Sequence, residues 1–144
     1  MKIINLFISI LIGGNAVLAQ HNADMKTCPF HDFPEIKIYI PGYSDSIQQN
    51  GIKVRTIRTA ILVNGFELLS SDSLLKIEKF HIVFDDAQGN LHSKNSKGNK
   101  ILNDEINVVP MSKINEAKII TIESITVQYK GKCYRIRPEI YIGL

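Results

Sequence analysis

There is no tryptophan in this chain, and cysteine occurs only twice among its 144 residues. The first absence weakens a carbohydrate- or surface-ligand-binding reading. A stacking platform would have to come from Tyr39, Tyr43, Tyr129, Tyr134 and Tyr141 alone. The second absence argues against structural zinc. Cys28-Pro29-Phe30-His31 has ligand-like C-x-x-H spacing, with His21 and Asp32 nearby, but no second pair follows. No metal or cofactor is therefore expected. Beyond the N-terminus there is no apolar run approaching the roughly 20 residues of a spanning helix. A charge excess is missing too: the formal net charge is +3, which points to neither a nucleic-acid nor an anionic-membrane partner.

What is present begins with a leader. Lys2 supplies a positive start, and Ile3 to Ile12 is a short apolar stretch broken by Gly13-Gly14-Asn15. Val17-Leu18-Ala19 then places small residues for cleavage. Residues 1–19 read as a secretory signal peptide cut after Ala19, leaving a periplasmic or secreted chain with no membrane span. The residue immediately after the cut is Gln20 and not a cysteine, so a lipid-anchored form is not expected. Residues 20–35 are polar and aperiodic, an exposed lead-in, and residues 36–144 form the folded domain. Export places Cys28 and Cys133 where disulfides persist. Their number permits one bridge, and two buried free thiols are the alternative.

From Ile36 the dominant period is two, so the expected fold is an all-β, antiparallel, Ig-like sandwich with at most one short helix. Ile36 to Ile40 alternates and stops at Pro41-Gly42; Tyr43 to Gly51 reads as a polar loop. Ile52 to Leu69 fits a strand pair turning at Asn64-Gly65, and a helical piece over residues 56–62 fits less well. In the strand over residues 74–85, Leu75 and Ile77 lie on one phase and Phe80, Ile82 and Phe84 on the other. A switch at Glu78-Lys79 requires a bulge or a crossing between sheets. Ile120 and Ile122 give way to Ile125, Val127 and Tyr129 in the same manner near Glu123-Ser124. Residues 92–100 read as a mobile loop and 106–109 as a short strand. Ser112 reads as the cap of a helical turn or two over 113–118. Lys130-Gly131-Lys132 turns the last hairpin. Its closing strand carries Tyr134, Ile136, Pro138, Ile140 and Ile142 on one face, and Pro138 suggests an edge position.

No catalytic set assembles from the residues, and the protein is not expected to be an enzyme. His81 lacks a nucleophile-elbow motif around the nearby Ser70, Ser71 and Asp72. Asp85-Asp86 with Gly89-Asn90 lacks the spacing of a calcium loop and reads as turn chemistry. Lys130, Lys132, Arg135 and Arg137 cluster at the last hairpin, either as a docking patch for an acidic partner or as a solvated face that blunts an edge.

Several motifs in order carry a family resemblance. These are "GFELL", "LLKIEKFHIVFDDAQGN", "HSKNSKGNKI", "MSKINEAK", "IITIESITVQY" and the closing "GKCYRIRPEIYI", in which Gly131, Arg135, Pro138 and Ile140 fit a Gly-x-x-x-Arg-x-x-Pro-x-Ile pattern. From about Phe66 to Ile142 the chain resembles the C-terminal periplasmic domain of the gliding-motility and type IX secretion shaft protein family (GldM/PorM) of Bacteroidetes. It departs from that pattern in Ala117-Lys118, where the family usually has Gly-Asp, and in its two cysteines. The resemblance implies the fold of a terminal module that binds other cell-envelope proteins through an exposed face. It does not imply motor coupling, and it leaves homo-oligomerisation open.

Overall fold

Leu75 and Ile77 are odd-numbered, while Phe80, Ile82 and Phe84 are even, yet all of them pack against a single core. A regular strand cannot do this, because successive side chains alternate between its faces. The computed structural model, which describes residues 28–47, 51, 53–103 and 111–144, shows how the chain manages it. Its strands in chain order are β1 (Ile38–Tyr39), β2 (Tyr43–Ile47), β3 (Lys53–Ile57), β4 (Gly65–Glu67), β5 (Leu69–Ser70), β6 (Leu75–Asp85), β7 (Leu91–Asn95), β8 (Lys100–Leu102), β9 (Ile119–Tyr129), β10 (Lys132–Arg135) and β11 (Glu139–Gly143). β6 and β9 pair antiparallel along their length, and the register slips twice, between Ile77 and Lys79 and between Lys79 and His81. The first slip adds a residue to β6 at Glu78. The second adds one to β9, where Ser124 adopts φ 52°. Both halves of each strand thereby present their apolar residues to the same side.

The large sheet runs β2-β3-β11-β9-β6-β7. β10 also pairs with β9, beyond the part that β11 occupies: Arg135 faces Thr126, while Glu139 faces Ile122. Among the described residues every pairing between these strands is antiparallel except β3 with β11. The ribbons β1–β5 and β4–β8 and two 3-10 segments, Thr59–Leu62 and Met111–Glu116, form the opposing layer. They contribute Ile38, Leu62, Ile101, Met111 and Ile114 to the core, against Phe84, Ile120, Ile122 and Tyr141 of the sheet. The fold is all-β and sandwich-like, as the two-residue period indicates.

Several elements differ from expectation. The polar stretch after Gly42 contains a strand, β2, paired in register with β3 from Tyr43–Ile57 to Ile47–Lys53. Backbone pairing along a sheet edge has overridden a Ser/Asp-rich composition. Likewise residues 92–100 are not a loop: β7 pairs with β6, and β8 begins at Lys100. Asn64-Gly65 makes no hairpin. Gly65 opens β4, which pairs with β8, and a β-carbon there would stand 2.3 Å from the Ile101 carbonyl oxygen. The helical alternative is realised as the 3-10 turn at Thr59–Leu62. Ser112 lies inside its 3-10 segment instead of capping it. The closing strand is broken at Ile136–Pro138 into β10 and β11, and β11 is interior, between β9 and β3. Pro138 sits in the break, where no ladder needs its missing N–H. The break also flips the phase, so Tyr141 is buried and Ile140 faces out. The leader, residues 20–27 and residues 106–109 lie outside the described residues.

Ser124 tests the bulge. An L-residue at positive φ is strained by about 1–2 kcal/mol, which glycine avoids. Ser124→Gly is expected to raise urea stability by up to about 1 kcal/mol, and Ser124→Val to lower it by about 1–2 kcal/mol. A more stable valine variant would show that this residue bears no strain.

Candidate functional site: the stapled hairpin

β9 turns into β10 through Lys130 and Gly131, both at positive φ (49° and 76°), the backbone of a tight type I′ hairpin. The second residue of β10 matters most. Cys133, on β10, is bonded to Cys28, with Cα atoms 4.8 Å apart across 105 residues of sequence. This removes the sulfur from any C-x-x-H ligand set. Among the described residues no group of three or more His, Cys, Asp or Glu is gathered where it could hold a metal; His21 lies outside them.

The staple lays the N-terminal segment along the free edge of β10. Phe30 and Arg135 form a parallel bridge. The His31 amide donates to the Arg135 carbonyl at 2.9 Å, and the Arg135 amide donates to the Pro29 carbonyl at 3.0 Å. Arg135 also turns its side chain to the segment, with Nε donating to the Cys28 carbonyl at 2.9 Å. Arg137 pairs with the Asp32 carboxylate. Beneath them Phe33 packs edge-on against Tyr129 (5.1 Å) and Tyr134 (5.5 Å), and His31 lies 4.4 Å from Phe33.

The four cations of the predicted patch therefore have different roles. Arg135 is half-buried and holds the N-terminal segment; Arg137 is 63% exposed but ion-paired. Lys130 and Lys132 are exposed at the hairpin tip, Lys130 with its ammonium 5.1 Å from the Tyr129 ring centroid. The tip is a rigid, basic projection on an aromatic footing. The tyrosines considered for glycan stacking pack within the protein: Tyr141 is fully buried, the Tyr39 and Tyr43 rings meet at a tilt with centroids 5.6 Å apart, and Tyr129 and Tyr134 are half-buried around Phe33.

One partly buried ionic arrangement has no motif in the sequence. Arg55 donates to Glu139 and, at 2.6 Å, to the Ile38 carbonyl, with the Tyr43 and Tyr141 rings 5.3 and 5.9 Å away. Burial pushes the Glu139 carboxyl up, while Arg55 and then Arg137 pull it down. Burial also pushes the Tyr141 hydroxyl up to about 12, where it accepts the Ile40 amide at 3.0 Å. A cleft of about 300 Å³ lies over this region, between Phe33, Ile36, Leu75, Ile136 and Arg137. Arg55 and Glu139 stand 84 residues apart, so only the parallel β3–β11 pairing brings them together.

His81 finds its acid across the ladder: Nδ1 is 3.0 Å from Glu123 Oε1. Ser70, Ser71 and Asp72 instead serve the β5–β6 turn, accepting the amides of Asp72, Lys37 and Leu74. Asp85 accepts the Lys118 and Ile119 amides at 2.9 and 3.0 Å. Asp86 organises its own turn. It accepts the amides of Gln88 and Asn90, and His92 Nε2 lies 2.8 Å away. With a side chain only 3% exposed, it is held well below the usual carboxylate range, chiefly by His92 and then by Asn90 and the turn amides, against the opposing effect of burial.

With this geometry in view, comparison with protein-family models, curated proteins and solved structures returns no match.

Two outcomes follow from the site. Replacing both cysteines (Cys28→Ser with Cys133→Ser) is expected to lower stability by about 4–5 kcal/mol in urea, as chain-entropy arguments give for so long a loop; a loss under about 1 kcal/mol would show that the staple is incidental. A carboxyl with a depressed folded pKa contributes stability that is complete above its unfolded value, about 3.9, and is lost as pH falls through the folded value. The melting temperature of the wild type should therefore fall between pH 5 and pH 2 more steeply than that of Asp86→Asn; parallel curves would remove Asp86 from the acid response.

Proposed function

We propose that this chain is an exported, non-enzymatic docking module of the cell envelope, and that it presents the hairpin tip to an acidic segment of a protein partner. The observation that carries the reading is the pairing of rigidity with unspent charge. Cys28–Cys133 and Arg135 immobilise the hairpin from behind, and Lys130 and Lys132 project from its tip without an ion pair to any described carboxylate. A preorganised surface loses little entropy on binding, and exposed cations steer an acidic partner into place.

The bonded cysteine pair is compatible with an oxidising, extracytoplasmic compartment, and among the described residues no helix is long and apolar enough to cross a membrane. The leader-like residues 1–19 support the periplasm or the cell exterior as the site of action. The resemblance of residues 66–142 to the terminal domain of the secretion shaft family supports an accessory role in type IX secretion or gliding.

Affinity capture from the native envelope after mild crosslinking tests this reading. The wild type is expected to enrich outer-membrane components of that machinery. Lys130→Glu with Lys132→Glu should lower their recovery about tenfold at ~50 mM salt and less at ~500 mM, with an unchanged melting temperature. Equal recovery by the folded double variant would remove the tip from the interaction.

A further inference from the structure

The Cys28–Cys133 bond ties down a segment that the core does not hold. No side chain of residues 28–32, the arm, belongs to the apolar core cluster, and Phe33 is the first that packs against it. Two backbone hydrogen bonds at Arg135 and its Nε bond to the Cys28 carbonyl hold the arm to β10. The His31 ring rests against Phe33 and Tyr134, and Arg137 pairs with Asp32 where the two side chains are 63% and 45% exposed. Each contact is modest alone, because a hydrogen bond replaces one to water and an exposed ion pair is weak. Against them stands the entropy of fixing five residues of backbone. The covalent bond is the strongest hold. At the far end a turn stops the arm, with the Ile36 amide donating to the Phe33 carbonyl at 3.0 Å.

The bond is open to attack from one side. Cys28 is 8% exposed, whereas Cys133 is only half-buried, so an incoming thiolate reaches the Cys133 sulfur first. The surroundings favour that approach. Lys132 precedes Cys133, and Lys130 stands exposed at the turn. On the sheet face away from Val127, one row runs Lys76–Gln128–Cys133 and the next Lys79–Thr126–Arg135, with Glu78 at the bulge between them. The attacking sulfur and the departing sulfur are both anions, and neighbouring cations favour both. Arg135 already holds the backbone of Cys28, whose sulfur departs.

We propose that Cys28–Cys133 is a thiol–disulfide exchange site whose substrate is a protein dithiol, and that its reduction unlatches the arm from β10. One thiolate of the dithiol attacks the Cys133 sulfur. The bond to Cys28 breaks, and the Cys28 sulfur leaves with the electron pair and takes up a proton. The second thiolate of the dithiol then attacks its own partner sulfur in the mixed disulfide, and Cys133 leaves in the same way. Two electrons and two protons pass to the protein, and the dithiol ends as a disulfide. The arm then detaches up to the turn at Phe33. Arg135 loses the partners of its amide, carbonyl and side chain, and Arg137 loses Asp32. Both arginines become unpaired beside Lys130 and Lys132, so the four-cation patch is complete only when the bond is open. β10 itself stays on β9, and the Ile136 amide keeps the Ile125 carbonyl at 3.0 Å. The proposal stands on the cysteine pair and the arm, and does not rest on the docking reading of the tip.

Reduction of the intact protein without denaturant tests it, with dithiothreitol at ~10 mM as the dithiol. Alkylation read by mass spectrometry is expected to find both cysteines reduced at a rate within about a hundredfold of the rate in ~8 M urea, because Cys133 is reachable in the folded state. Hydrogen exchange then reads the arm. In the reduced protein the His31 and Arg135 amides are expected to exchange within about tenfold of the unprotected rate, while those of Ile120, Ile122 and Ile136 stay at least ~100-fold slower than unprotected. Oxidised Arg135→Gln should keep the His31 amide protected, because the bond and the backbone pairing remain. Reduction slower than the stated hundredfold would overturn the exchange site. The latch would be overturned by an arm that stays protected after reduction, by a core that loses protection together with it, or by an arm already free in oxidised Arg135→Gln.

Discussion

A strand that alternates strictly cannot bury Ile120 and Ile122 together with Ile125 and Val127. β9 buries all four because Ser124 occupies a left-handed backbone conformation and returns the second half to the first half's phase. β6 makes the same correction at Glu78, and the two corrections meet across one ladder. The rest of the fold is arranged around this matched pair. The upper half of β9 receives β11, its lower half receives β10, and β6 carries β7 on its far side. A single uncompensated slip would turn half of the longest strand pair to solvent.

The division of β9 between two partners creates the site. β10 and β11 lie end to end along one side of β9, so the chain must break between them, and Pro138 occupies the break. β11 is enclosed by β3. β10 would have an open edge, and the segment Cys28–Phe33 closes it through a covalent bond, backbone hydrogen bonds, the Arg135 side chain and an aromatic cluster. An arginine that looks like part of a docking patch in the sequence is here committed to holding the N-terminus. The usable charge moves outward to the turn.

The two faces of the sheet obey different rules. Inside, the polar groups are matched: Tyr141 with the Ile40 amide, Arg55 with Glu139, and Thr59 with the Asn115 carbonyl at 2.6 Å. Outside, around the β9–β11 pairing, the sheet carries the β-branched Ile119, Thr121, Ile140 and Ile142 beside the carboxylates Asp85 and Glu123. The β-branched residues suit strand formation.

How much of this was legible depends on where the information resides. A switch of phase is a local pattern, so both bulges could be read from Leu75–Phe84 and Ile120–Tyr129 alone, as could the final turn at Lys130-Gly131. β2 and β7 were hidden because edge strands satisfy their backbone through a neighbour and need few apolar residues; Tyr43–Ile47 and Leu91–Asn95 look like loops until β3 and β6 are beside them. The alternation of Tyr134, Ile136, Ile140 and Ile142 suggested one continuous strand, and the break at Pro138 reversed which of its residues face the core. The sequence by itself determined the all-β class, the two long strands with their corrections, and the possibility of one bridge. Tertiary structure alone decided that Cys28 meets Cys133, that Arg55 meets Glu139, and that Arg135 holds the Cys28 carbonyl. Those outcomes depend on contacts between residues 80 or more positions apart, which no local pattern encodes.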